Sequence, residues 1–129
     1  MMARVTKNDL IGIVGPCSAG KSTLIGRLNE LNYSCRHIAQ DHSYVPDMWQ
    51  RLVNPIALIY LDVSYGVSMQ RRPLNLNLAE FDEQKNRLHH AFKNADLYLH
   101  TDDLSPEDVA NKVVAFLNDH NIHPPGMQK

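Results

Sequence analysis

Cysteine is scarce in this chain: Cys17 and Cys35 are the only two among 129 residues. A small secreted domain that leans on disulfides carries more, in a framework of pairs, so both are expected as reduced thiols. An excess of one charge is also missing. Thirteen lysines and arginines nearly balance fourteen acids, for a formal net charge of −1. That balance gives no bulk attraction to nucleic acid or to an anionic membrane, and neither is expected as a partner. The opening residues, MMARVTKNDL, lack the long apolar core of a signal peptide. No apolar run approaches the roughly 18 residues of a membrane span. The expected location is therefore cytoplasmic. Internal repeats and low-complexity tracts are absent as well, and the length suits one domain, expected over residues 1–121. From Ile122 to Lys129 two prolines and a glycine discourage regular structure, which reads as a flexible tail.

What is present is an alternation of apolar runs with helical patterns. Asp9–Val14 (DLIGIV) and Pro55–Val63 (PIALIYLDV) read as buried strands, short, continuous and bounded by turn residues. Ser34–Ala39 and Ala95–His100 are weaker strands. Lys21 to Asn32 predicts a helix with Leu24, Ile25, Leu28 and Leu31 on one face. A short helix is expected from Pro46 to Leu52, with Pro46 in its first turn. Ser64 reads as the N-cap of a helix to Arg72, which Pro73 stops. Leu74–Leu78 is expected as a loop, and Ala79 to Lys93 as one polar helix marked by Phe81, Leu88 and Phe92. Ser105–Asn118 opens with an N-cap serine, a proline and acids in the first turn, and buries Val109, Val113, Phe116 and Leu117. Strand, helix, strand, helix is the α/β pattern. It predicts a three-layer αβα sandwich around a mostly parallel sheet of about four strands.

The stretch Gly15-Pro16-Cys17-Ser18-Ala19-Gly20-Lys21-Ser22 matches G-x-x-x-x-G-K-[ST], and Thr23 follows it. Gly15 lets the chain leave its strand sharply, and Gly20 allows the backbone to approach an anion. The loop N–H groups and the positive end of the following helix then form an anion nest. Lys21 would reach the terminal phosphates, and Ser22 would offer a hydroxyl to Mg²⁺. The surrounding strand and amphipathic helix are what the motif requires. Gly15 through Thr23 are accordingly expected to bind a nucleoside triphosphate, ATP with Mg²⁺.

On these residues the chain resembles the P-loop nucleoside-triphosphate-binding superfamily, and the resemblance implies its fold. Ile59–Arg72 (IYLDVSYGVSMQRR) is similar to the strand, turn and arginine-bearing helix before the lid of small-molecule kinases such as nucleoside monophosphate kinases and shikimate kinase. Leu97–Leu117 is similar to their closing strand and C-terminal helix. The resemblance implies phosphate-contacting arginines at Arg71, Arg72 and Arg87. The alternative for each is a solvated helix-face charge. It also implies a lid, which here would be only Arg72 to Ala79, and an acceptor-binding region, for which Gln40–Val53 leaves room for one short helix.

A phosphate site needs an acid at a neighbouring strand end to hold Mg²⁺ or its water. Asp62 ends an apolar run and is the candidate, with capping of the following turn as its alternative. Asp41, after the second strand, would orient an acceptor hydroxyl or hold metal-bound water, unless it is a solvated loop carboxylate. Trp49 either lines the cleft or packs on the sheet with Met48 and Leu52. Seven histidines show no Cys/His spacing of a zinc site.

The expected activity is that of a minimal kinase-like phosphotransferase, moving the ATP γ-phosphate to a small-molecule acceptor that the sequence does not name. Lys21, Asp41, Arg72 and Arg87 would carry it. The alternatives are a nucleotide-binding module without turnover and a slow ATPase, both suggested by the short acceptor region. Two sheet edges and a small core are compatible with a homodimer.

Overall fold

The computed structural model describes residues 10–72 and 76–124. The strands are β1 (Ile11–Val14), β2 (Cys35–His37), β3 (Ala57–Asp62) and β4 (Leu97–His100). The helices are α1 (Lys21–Glu30), α2 (Met48–Leu52), α3 (Tyr65–Arg71), α4 (Leu78–Arg87), α5 (His89–Asn94) and α6 (Pro106–Asp119), with one 3₁₀ turn over Gln40–His42. The four strands form one parallel sheet in the order β2-β1-β3-β4. The fold is therefore α/β, as the alternating pattern predicts.

Alternation along β3 explains why the sheet is covered on both sides. Ala57, Ile59 and Leu61 join Ile11, Ile13, Leu24, Leu28, Val113 and Leu117, a core built with α1 and α6. Leu58 and Tyr60 point the other way and meet Trp49, Leu88 and Ala91 from α2 and the α4–α5 segment. All six residues of β3 are buried, which is why its sequence is a continuous apolar run rather than an alternating one. Burial of a residue such as Leu28 contributes about 1.5–3 kcal/mol relative to exposure.

The ends of the elements follow local chemistry. Ser64 caps α3 by accepting the Val67 N–H. Ser105 and Asp108 form a capping box on α6, with Pro106 in its first turn. Asn77 and Glu80 form a second box at α4. Each cap of this kind contributes about 1 kcal/mol.

Several expectations are corrected. The helix expected over Ala79–Lys93 is interrupted at one turn residue, Leu88 (φ −92°, ψ 0°), across which the Leu88 N–H still donates to the Gln84 carbonyl and the Phe92 N–H to the Leu88 carbonyl. Its side chain is fully buried, on the apolar face that the sequence predicts. Asn77 was expected inside a loop and instead starts α4. Leu31 lies beyond the end of α1 and is 49 % exposed. Pro46 precedes α2 rather than opening it, since the cap position is Asp47. Leu52 is exposed, whereas Trp49 is packed in the core. The expected stop at Pro73, the first two residues of the Leu74–Leu78 loop and the tail beyond Pro124 lie outside the described residues. Among the described residues, no helix is long and apolar enough to cross a membrane.

Candidate functional site

The segment between β1 and α1 is shaped by three residues with positive φ: Gly15 at 153°, Ser18 at 65° and Gly20 at 99°. At Gly15 a Cβ would collide with the Leu61 carbonyl of β3, so the chain leaves β1 pressed against its neighbour. Gly20 occupies the position before α1 in a left-handed conformation, with open space around it. Gly20, at the cap position, has no side chain to cap α1. Among the described residues, its first-turn N–H groups, which have no acceptors within the helix, are left without side-chain partners. The hydroxyl of Ser18 is buried without a hydrogen-bond partner. Ser22 and Thr23 lie exposed on the first turn of α1.

Lys21 folds back under this loop. Its ammonium donates to the carbonyls of Gly15 and Pro16, and stands 3.8 Å from Oδ2 of Asp41. Lys21 is only 9 % exposed. Burial pushes its pKa below that of an ordinary lysine, and the Asp41 charge offsets part of that fall.

Asp41 lies in the 3₁₀ turn and is 2 % exposed, so it is not a solvated loop carboxylate. Its Oδ2 is 3.5 Å from Nε2 of His42, while its Oδ1 has no hydrogen-bond partner. The turn is anchored by Gln40, fully buried, which accepts the Trp49 N–H and donates to the Val45 carbonyl. Trp49 in turn donates its indole N–H to Nδ1 of His90 at 3.1 Å.

Asp62 stands at the end of β3 as expected, and its carboxylate is already engaged. It accepts from the Val63 N–H at 2.9 Å and the Tyr98 hydroxyl at 2.7 Å, and pairs with Lys85 at 3.1 Å. Burial and the adjacent Asp62 push the Tyr98 pKa up.

The arginines divide. Arg71 donates to the Ser18 carbonyl at 3.1 Å, to the Thr101 hydroxyl at 3.0 Å and to the Thr101 carbonyl. Arg72 ends α3, exposed, and none of the described hydrogen bonds of its side chain reaches the loop. Arg87 donates to the Asp41 carbonyl at 3.3 Å and the Tyr44 hydroxyl at 2.9 Å, pairs with Glu83, and lies 4.4 Å from the Tyr44 ring centre. Beside it is a cleft of about 180 Å³ lined by Ser43, Tyr44, Pro46, Glu83, Asn86 and Arg87. Lys21, Asp41 and Arg87 are thus brought together.

Two residues at the loop were not anticipated. Gln84 of α4 accepts the Cys17 N–H at 3.1 Å and donates to the Cys17 sulfur at 3.2 Å. Thr101, 1 % exposed, places its hydroxyl 2.8 Å from the Asp62 carbonyl and 3.3 Å from that of Ala19. A periodic signal exists for each. Phe81, Gln84 and Leu88 share a helical stripe, and Leu97, Leu99 and Thr101 share a strand face.

No protein-family model matches this chain, and no curated protein matches it.

Proposed function

We propose that this chain has the P-loop fold and binds the phosphates of a nucleoside triphosphate on Gly15–Thr23, transferring the terminal phosphoryl group to a small-molecule acceptor. The observation that carries the reading is Lys21: a buried ammonium beneath a glycine-shaped loop, ahead of a helix whose N-terminus no side chain caps. Burying an ammonium is costly unless it is paired; Asp41 at 3.8 Å is a loose partner, and a terminal phosphate would supply a second, closer counter-charge. The orphan Ser18 hydroxyl adds a polar group in need of a partner.

In this reading the loop N–H groups and Lys21 hold the phosphates and stabilise charge that develops during transfer. Arg87 lines the cleft next to Asp41 and would orient an acceptor there. Asp41 would accept the proton of an acceptor hydroxyl, since its Oδ1 is uncommitted. The residues present fit Mg²⁺ in part. Ser22 is free on α1 to hold it, whereas Asp62 could serve it only after Lys85 leaves. Mg²⁺, when bound, would neutralise phosphate charge.

The second reading is a nucleotide-binding module without turnover. It is favoured by the locked carboxylate of Asp62 and by Gln84, which occupies one loop N–H. The test is to incubate the chain with ATP and Mg²⁺, with and without a panel of nucleosides, nucleotides and small metabolites, and to follow ADP. Acceptor-dependent ADP supports the phosphotransferase, and ADP without acceptor supports an ATPase. Binding with no ADP under any condition leaves the module.

A further inference from the structure

We infer that the loop also carries a zinc site, built by Cys17, Asp41 and His42. A ligand atom from each of the three lies within 4.8 Å of the other two. Two segments far apart in sequence supply them, which is why no Cys/His spacing signals the site. Tetrahedral ligands at about 2.0–2.3 Å from zinc stand about 3–4 Å from one another. His42 Nε2 and Asp41 Oδ2 already stand 3.5 Å apart, the separation that two tetrahedral zinc ligands need.

A second feature points to a ligand independently of the spacing. Asp41 is 2 % exposed and its Oδ1 is buried with no partner. A buried carboxylate oxygen without a donor is costly, and a cation satisfies it. The side chain of His42 is largely exposed, free to turn its ring toward an ion.

The donor set selects the ion class. A thiolate disfavours Mg²⁺ and Ca²⁺, which prefer all-oxygen shells. Thiolate, imidazole and carboxylate together suit Zn²⁺, and three protein ligands leave a fourth position for water. On binding, the Cys17 sulfur forms its bond to zinc and gives its proton to solvent. The nearby Lys21 ammonium opposes a cation, but it is held by the Gly15 and Pro16 carbonyls and need not stay on Asp41. The site does not require phosphate on the loop, and zinc on Asp41 would take the oxygen that the phosphotransferase reading leaves for an acceptor hydroxyl.

The experiment is a Co²⁺ titration of the reduced full chain, followed by displacement with Zn²⁺. The expected result is saturation at one ion per chain with a thiolate-to-cobalt charge-transfer band, reversed by Zn²⁺ and unaffected by Mg²⁺. The band should vanish in Cys17→Ser and persist in Cys35→Ser. Affinity should fall about tenfold or more in His42→Ala, a surface change that leaves the core intact. Absence of the charge-transfer band in the wild-type chain overturns the assignment. So does a band that survives Cys17→Ser, or an affinity that His42→Ala leaves unchanged.

Discussion

Replacing Lys21 by methionine tests the central physical claim, because it keeps the stem of the side chain and removes only the charge. The ammonium donates to the Gly15 and Pro16 carbonyls and lies 3.8 Å from Asp41. Both partners are buried, Lys21 at 9 % and Asp41 at 2 % exposure, so solvent screens the pair weakly. Removing one member of such a pair leaves the other buried and uncompensated, at about 3–5 kcal/mol. Lys21→Met is thus expected to lose about 3 kcal/mol in urea unfolding at pH 7, the lower end because the burial that depresses the Lys21 pKa also penalises the ammonium it removes. Asp41→Asn alone should cost a similar amount, because it strands the lysine. The double substitution should return to within about 1 kcal/mol of the wild type, giving a coupling term of about 5 kcal/mol in magnitude. ATP affinity, read by calorimetry, should fall about 10- to 100-fold in Lys21→Met, the value of a charge-assisted hydrogen bond to phosphate. Additive single-variant effects would refute the buried pair. An unchanged ATP affinity would refute the phosphate role while leaving the pair intact.

Three further outcomes are expected. Gly15→Ala should destabilise by about 2 kcal/mol or more in denaturant unfolding, since a Cβ there meets the Leu61 carbonyl and φ is 153°; a change below about 0.5 kcal/mol counts against the tight exit from β1. Gly26→Ala should stabilise by about 0.4–1 kcal/mol, because Gly26 is inside α1 with open space around it; a lower melting temperature is the contrary result. The pKa of His37 is pushed below 6.5, first by partial burial and then by Lys21, so its proton-detected titration should have its midpoint under that value and rise in Lys21→Met. The folded state favours neutral His37, so its contribution to stability is complete above the unfolded pKa and falls away as pH drops from there through the folded pKa. A wild-type midpoint at or above 6.5 contradicts this environment.

The elements most legible in the sequence are those set by local chemistry. β1 and β3 are continuous apolar runs because parallel strands are covered on both faces. The capping residues Ser64 and Ser105 mark α3 and α6 because a side-chain oxygen must satisfy first-turn N–H groups. What was not legible depends on contacts between distant segments. Nothing local says that Asp41 is buried, since its cover comes from Lys21 and from α4 through Arg87. Nothing local divides α4 from α5, and Leu88 between them packs into a core shared with Trp49 and Tyr60. Gln84 and Thr101 look like surface polar residues until their stripes are traced. Arg71 and Arg72 are indistinguishable by composition, and the contacts of Arg71 with Ser18 and Thr101 come from segments distant in sequence.

The two acids the sequence offers for a cation differ in the capacity they have left. An ionised carboxylate has about four acceptor positions. At Asp62 three donors, the Val63 N–H, the Tyr98 hydroxyl and the Lys85 ammonium, already use them, with Lys85 near both oxygens at 3.1 and 3.3 Å. A divalent ion there would have to displace a lysine and a phenol, each a good partner for a buried charge. At Asp41 one oxygen is shared between Lys21 and His42 at 3.8 and 3.5 Å, both beyond a normal hydrogen-bond length, and the other has no partner. Burial makes that vacancy expensive, so the free energy favours whatever cation or donor fills it. Position at a strand end therefore singles out Asp62, and acceptor capacity singles out Asp41. Because capacity, unlike position, is set by the neighbours that the fold supplies, Asp41 rather than Asp62 is the acid with an acceptor position left for a cation.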